Sequence, residues 1–149
     1  MAPKYSIKVF TTADKEQSEL AYAIRRQVFV EEQNVSPEEE YDEFEDISRH
    51  FLLFDDGQPA GTARWRHTEK GIKLERFAVL PAYRNRGAGS LLVKSVLDEV
   101  KEQGKTVYLH AQVAAMKLYE RAGFKSTGPL FFEAGIPHYK MVLEQPGEC

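Results

Sequence analysis

Polar and apolar residues alternate through Tyr5-Ser6-Ile7-Lys8-Val9-Phe10, the period of a half-buried strand. Leu20, Ile24, Gln27 and Val28 then recur at helical spacing, which predicts a helix burying one stripe. Thr11 or Thr12 supplies a capping hydroxyl at its start. Asn34 through Pro37 breaks the helix, and an acidic segment runs on to Asp46. Phe51-Leu52-Leu53-Phe54 predicts a short apolar strand, Asp56-Gly57 a turn, and Pro59 to His67 a returning hairpin partner. Gly71 marks a further turn before a strand from Ile72 to Val79.

The second half changes character. Leu80-Pro81 ends the strand, and Gly87 to Gln103 reads as a long amphipathic helix with Leu91, Leu92, Val96 and Val100 on one face. Gly104 closes it. Val107-Tyr108-Leu109 predicts a buried strand, Val113 to Ala122 a shorter helix stopped by Gly123, and Phe124 to Leu130 and His138 to Leu143 two last strands. The order implies an α/β fold on a mixed sheet. No repeat, linker or low-complexity tract divides residues 1–149, so a single domain is expected.

Charge and composition narrow the function. With 29% charged residues and a formal net charge of −3, the chain lacks the basic face of a nucleic-acid binder. Its one cysteine, Cys149, allows no internal disulfide and no cysteine metal cluster, and no His/Asp/Glu set has metal-ligand spacing. Neither a signal peptide nor a membrane span is evident, so a cytoplasmic protein without membrane partners is expected.

The most informative residues are Arg84-Asn85-Arg86-Gly87-Ala88-Gly89-Ser90, between a strand and a helix. Helix starts carry unpaired N–H groups and the positive end of the macrodipole. Gly87 and Gly89 allow close backbone approach, and Arg84 and Arg86 add positive charge. The turn reads as a diphosphate cradle. It is not a P-loop, because Gly89-Ser90-Leu91 lacks the Gly-Lys-Ser/Thr ending. Nor is it a dinucleotide fingerprint, because Leu92 stands at the third glycine and Leu109 where an acid is needed.

What remains, Arg-x-x-Gly-x-Gly, resembles the acetyl-CoA loop of the GNAT acetyltransferases. The preceding Arg76-Phe77-Ala78-Val79-Leu80-Pro81 and the later Ala115-Met116-Lys117-Leu118-Tyr119-Glu120-Arg121-Ala122-Gly123-Phe124 resemble two more elements of that family, in the right order. The resemblance spans essentially the whole chain and implies the GNAT acyl-CoA N-acyltransferase fold, a mixed, mostly antiparallel central sheet flanked by helices. Val28 to Val35, the acids after it, and Gly135-Ile136-Pro137-His138 resemble a small bacterial subgroup near glyphosate N-acetyltransferase. Gln112 stands where members often carry Asn.

The resemblance implies acetyl-CoA as cosubstrate and a small-molecule amine as acceptor. Phe77, Ala78 and Val79 would line the pantetheine groove, with the Val79 N–H as donor to the thioester oxygen. Arg84, Asn85, Arg86, Gly87, Ala88, Gly89 and Ser90 would hold the diphosphate, and Gln112 the pantetheine arm or the following helix. Tyr119 matches the family's tyrosine acid, and the alternative is a packed aromatic. His138 falls where the glyphosate-acetylating enzymes place a base, and Glu75 is the rival, on a strand where many members carry a catalytic glutamate. The base matters because an alkylamine of pKa about 10.4 is neutral only about once in 2,500 molecules at pH 7. Without a catalytic role, Glu75 reads as an exposed strand residue paired with Arg76 or Arg64, and His138 as a substrate or solvent contact; His110 and His50 read as structural.

Nine acids and no Lys or Arg lie between Glu31 and Asp46. They read as a solvated acidic face, or as a negative rim drawing a cationic amine. Any of Arg25, Arg26, Arg64 or Arg66 facing the cleft would instead favour an amine bearing a carboxylate. Two rival functions stand beside acetyl transfer. One is the acyl-homoserine-lactone synthase branch, which shares Arg26-Gln27-Val28-Phe29 but sits poorly with the intact Arg84–Gly89 loop. The other is an acyl-CoA-binding regulatory module without turnover, which could lack Tyr119 and His138. Homodimers are frequent among GNAT proteins, but no residue locates an interface.

Overall fold

The computed structural model describes residues 2–144; Cys149 lies outside the described residues. One seven-stranded sheet runs in the order β1-β2-β3-β4-β5-β7-β6. The strands are β1 (Tyr5–Phe10), β2 (Arg49–Asp55), β3 (Gln58–Thr68), β4 (Gly71–Val79), β5 (Val107–Gln112), β6 (Phe124–Glu133) and β7 (Ile136–Leu143). All neighbours pair antiparallel except β4 and β5, which run parallel. The helices are α1 (Lys15–Arg25), α2 (Pro37–Glu40), α3 (Ala88–Val100) and α4 (Met116–Arg121).

The run Phe51–Phe54 is apolar throughout because β2 is covered on both faces. Phe51 and Leu53 join the core under α3 and α4, whereas Leu52 joins the core under α1. In α3, Leu92, Val96 and Val100 are fully buried, as the pattern predicts; Val93 joins them, and Leu91 stays partly exposed. Gly104 follows a final 3-10 turn with φ 68°, the left-handed closure expected of it.

Two differences concern the first helix. Its N-cap is Asp14, whose carboxylate accepts from the Gln17 N–H at 3.1 Å, rather than Thr11 or Thr12. A carboxylate two residues nearer the helix than Thr12 satisfies an orphan amide that neither hydroxyl reaches. Asp14→Ala is therefore expected to cost about 1 kcal/mol in urea unfolding, and Thr11→Ala nearly nothing. The second difference lies at Arg26–Glu32, which winds as a π-helix. The wider turn shifts the phase, so Val28 and Phe29 are buried and Gln27 is exposed.

The sheet opens at one place. β4 and β5 are paired only over Ile72–Leu74 and Val107–Leu109. Beyond that, the register against β3 slips: Thr62 faces Ala78 and Arg64 faces Glu75, leaving Arg76 and Phe77 opposite Ala63. Arg76 takes a left-handed φ of 60°, costly for a residue with a Cβ. This bulge bends β4 away from β5 and leaves a gap between them.

Candidate functional site

The gap forms the floor of a cleft of about 920 Å³, within the range of small-ligand sites. Phe77, Ala78, Val79, Arg84, Asn85, Gly87, Ala88, Gly89, Ser90, Gln112, Tyr119, Glu75 and His138 all line it. Among the expected residues, Arg86 is not part of the lining; its guanidinium lies 4.0 Å from Asp55.

The Leu80 N–H donates to the Ala60 carbonyl on β3 at 2.9 Å. Amide direction alternates along a strand, so the Val79 N–H faces the gap. Past Pro81–Tyr83 the chain reaches Gly87, which caps α3 with φ 85° and no side-chain hydrogen bond. A Cβ at Gly87 would meet nothing within 4 Å, so the space in front of the helix start is open. Gly89 sits against α4: a Cβ there would lie 3.4 Å from Leu118 Cδ2, an ordinary contact. Arg84 is already engaged. It donates to the Val79 carbonyl at 2.9 Å and forks onto both oxygens of Glu32 at 2.8 and 2.7 Å.

Gln112, at the end of β5, donates to Gln33 Oε1 at 2.9 Å. Glu32 and Gln33 are adjacent, so the end of the π-helix is bonded to both walls of the cleft. No spacing signal marks this bridge in the sequence.

Tyr119 is 7% exposed and meets Phe77 and Phe124 edge-on, at 5.6 and 6.2 Å between ring centres. Burial pushes its phenol up, which keeps it protonated, and no hydrogen bond holds its hydroxyl among the described residues. His138, equally buried, has Nδ1 at 2.6 Å from the Ile136 carbonyl. A carbonyl only accepts, so Nδ1 carries the proton and Nε2 keeps its lone pair. Phe131 stacks on the ring at 5.8 Å. On β5, His110 places Nδ1 2.6 Å from Glu133 Oε1, a bond that holds the Glu133 carboxyl below its ordinary range. His110 and Glu133 also line the cleft.

Glu75 is buried, not exposed, and its partners are Arg64, Arg66 and Lys73, at 2.9, 2.8 and 3.2 Å. Burial pushes its carboxyl up, but these cations outweigh it and hold it at about 2. Arg64 belongs to a larger network. It also binds Asp42 and Glu45, at 2.7 and 2.8 Å, while Arg25 binds Glu40 and Glu45, both at 2.7 Å. Arg76 binds Glu40 and Asp42 at 3.3 and 3.2 Å.

The acidic segment is divided: Glu31, Glu32, Glu38, Glu39, Glu43 and Asp46 stay exposed, and Glu32 and Glu39 reach the cleft. Glu40, Asp42 and Glu45 turn inward and tie the segment over the sheet, because Arg25 and Arg64, themselves 1% and 0% exposed, need carboxylate partners. None of Arg25, Arg26, Arg64 and Arg66 lines the cleft. The sequence shows the charges but not which partner each one finds. Among the described residues, no group of three His, Cys, Asp or Glu is arranged for a metal, and no helix is long and apolar enough to cross a membrane.

The family model for the acetyltransferase (GNAT) domain matches residues 11–145, so this chain belongs to the GNAT acetyltransferase family. Among its relatives in Bacillus subtilis (strain 168) are the uncharacterized protein YyaT, 39% identical over 92% of this chain and 93% of that protein, and the uncharacterized N-acetyltransferase YjcF, 36% identical over 93% of this chain and all of that one. An acyl-CoA N-acyltransferase from Pseudomonas aeruginosa has the same fold, with a TM-score of 0.84, 25% identity, and coverage of 95% of this chain and 100% of that structure.

Proposed function

We propose that the protein transfers the acetyl group of acetyl-CoA to the amine of a small molecule by direct attack of the amine on the thioester. The observation that carries this reading is the continuity of one cleft. It runs from the open helix start at Gly87, along the gap between β4 and β5, to the imidazole of His138. The residues fit the cosubstrate. Free amides around Gly87 to Ser90 suit a diphosphate, and the unpaired edge of β4 suits an extended arm with amides of its own.

At the reacting end the Val79 N–H would stabilise charge on the thioester oxygen. His138 Nε2 would take the proton of the incoming amine, with Nδ1–H anchored on Ile136. The likeness of Gly135–His138 to the glyphosate-acetylating enzymes favours the same assignment. Glu75 makes a poorer base, because a carboxyl held at about 2 by its cations releases little free energy on taking a proton. Tyr119, kept protonated by burial, would donate to the departing sulfur. In acting on the diphosphate, Arg84 would exchange its hold on Glu32 for the ligand.

Two measurements test the reading together. Acetyl-CoA at one hundred times its Kd is expected to add about 2.7 kcal/mol to the unfolding free energy. A panel of amines assayed for free-thiol release should then find an acceptor. An unmoved melting midpoint at millimolar acetyl-CoA would remove the reading; binding with no thiol release across the panel would leave a coenzyme A-binding module.

A further inference from the structure

The far end of the cleft, beyond His138, has a charge arrangement that specifies more than "an amine". Lys73, Arg76 and Arg84 line the cleft, and each is already bound to a carboxylate: Glu75, Glu40 with Asp42, and Glu32. Arg121, the other cleft cation, lies on α4, which packs at Gly89 beside the helix start. Glu133 is different. Its one hydrogen-bond partner among the described residues is the imidazole of His110, and its side chain is 46% exposed.

The strand ladder sets the spacing. Phe131 pairs with His138 across β6 and β7, and Glu133 lies two residues further along β6, on the same face. The turn that carries it, Ala134-Gly135, has φ of 51° and 75°, a two-residue hairpin that fixes Glu133 opposite Ile136. Diagonal neighbours of this kind stand roughly 7–8 Å apart. The Phe131 ring, which does not itself line the cleft, stacks on His138 and lies edge-on to His110 at 5.0 Å. The wall thus presents the imidazole of His138, the apolar side chain of Ile136 opposite Glu133, and at Glu133 a carboxylate that makes no ion pair with Lys or Arg.

We propose that the acceptor is a short α,ω-diamine, whose distal ammonium docks on Glu133 beside His110 while its alkyl chain crosses Ile136 and its reacting amine meets His138. A four-carbon chain with bonds of about 1.5 Å is of the order of that backbone spacing. An acceptor with a distal carboxylate would instead meet Glu133 with like charge. The inference rests on the acetyl-transfer reading for the role of His138, but the docking of the distal ammonium is measured separately from turnover.

The test is binding to the full chain with coenzyme A present, by calorimetry and by the imidazole NMR signals of His110, with putrescine, butylamine and γ-aminobutyrate as probes. Putrescine is expected to bind at least about tenfold more tightly than butylamine, the scale of one charge-assisted hydrogen bond, and to shift the His110 signals. In Glu133→Gln that ratio falls to near one. Equal affinities, a preference for γ-aminobutyrate, no detectable putrescine binding, or a ratio that survives Glu133→Gln each overturn the proposal. Absence of thiol release with every amine, in a protein that still binds putrescine through Glu133, would instead strike the acetyl-transfer reading and leave the diamine subsite standing.

Discussion

Arg64→Met is expected to lower the unfolding free energy by about 3–5 kcal/mol, the cost of removing one partner from a buried ion pair. The guanidinium is wholly buried and holds Asp42, Glu45 and Glu75 together from three directions. Without it, Glu75 keeps Arg66 and Lys73, but Asp42 and Glu45 lose a shared cation inside the segment that covers the sheet. For a domain of this size the loss corresponds to a melting midpoint lower by roughly 6–20 °C. A loss below about 1 kcal/mol in chemical unfolding would show that the network is not what holds the segment down.

The same network sets the acid sensitivity of the fold. The carboxyls of Glu75, Asp42 and Glu45 are pushed up by burial but held below their ordinary range by Arg64 and Arg25. Groups of this kind contribute stability that is present above their unfolded pKa and lost as pH falls through the folded one. For Glu75 that window runs from about 4.5 down to about 2. Glu40 acts in the opposite sense, because burial outweighs Arg25 and Arg76 and raises its carboxyl.

Replacing His138 with Ala should lower kcat by about 10²–10⁴, the usual contribution of a positioned base. Its Nδ1–H is held by the Ile136 carbonyl, so the wild-type ring presents one accepting nitrogen to the cleft. Without that acceptor, turnover of the variant should follow the fraction of free amine and rise with pH, unlike the wild type. Tyr119→Phe separates the two roles: it should slow turnover across the pH range with acetyl-CoA binding nearly unchanged. A His138→Ala profile identical to wild type would return the assignment to Glu75 or to the His110–Glu133 pair.

Much of the fold was legible because its signals are local. The stripe Leu92, Val96 and Val100 reports a buried face through its helix's own period, and the alternation from Tyr5 to Ile7 a half-buried one, although Val9 is exposed. Gly104 announced the left-handed backbone that closes a helix and that other residues adopt at a cost. β6 was less legible. Its register slips between Thr127 and Phe131, with Gly128 at φ 79°, and pairing resumes through Glu133, so the strand outruns the expected end at Leu130.

What the chain determined by itself was the order of its elements, the place of the helix start that faces the cleft, and the residue types available for proton transfer. Only the tertiary structure decided which charges meet. Arg64 and Asp42 are 22 residues apart in sequence, and Gln33 and Gln112 are 79 apart. Such pairings leave no periodic trace, because a side chain's partner is chosen by how the sheet and its covering segment pack. The same packing put Glu75 within a cage of cations and gave Glu133 an imidazole as its hydrogen-bond partner. The reason is electrostatic: a carboxylate's chemistry is set by what surrounds it, and a sequence lists neighbours along the chain, not across a cleft.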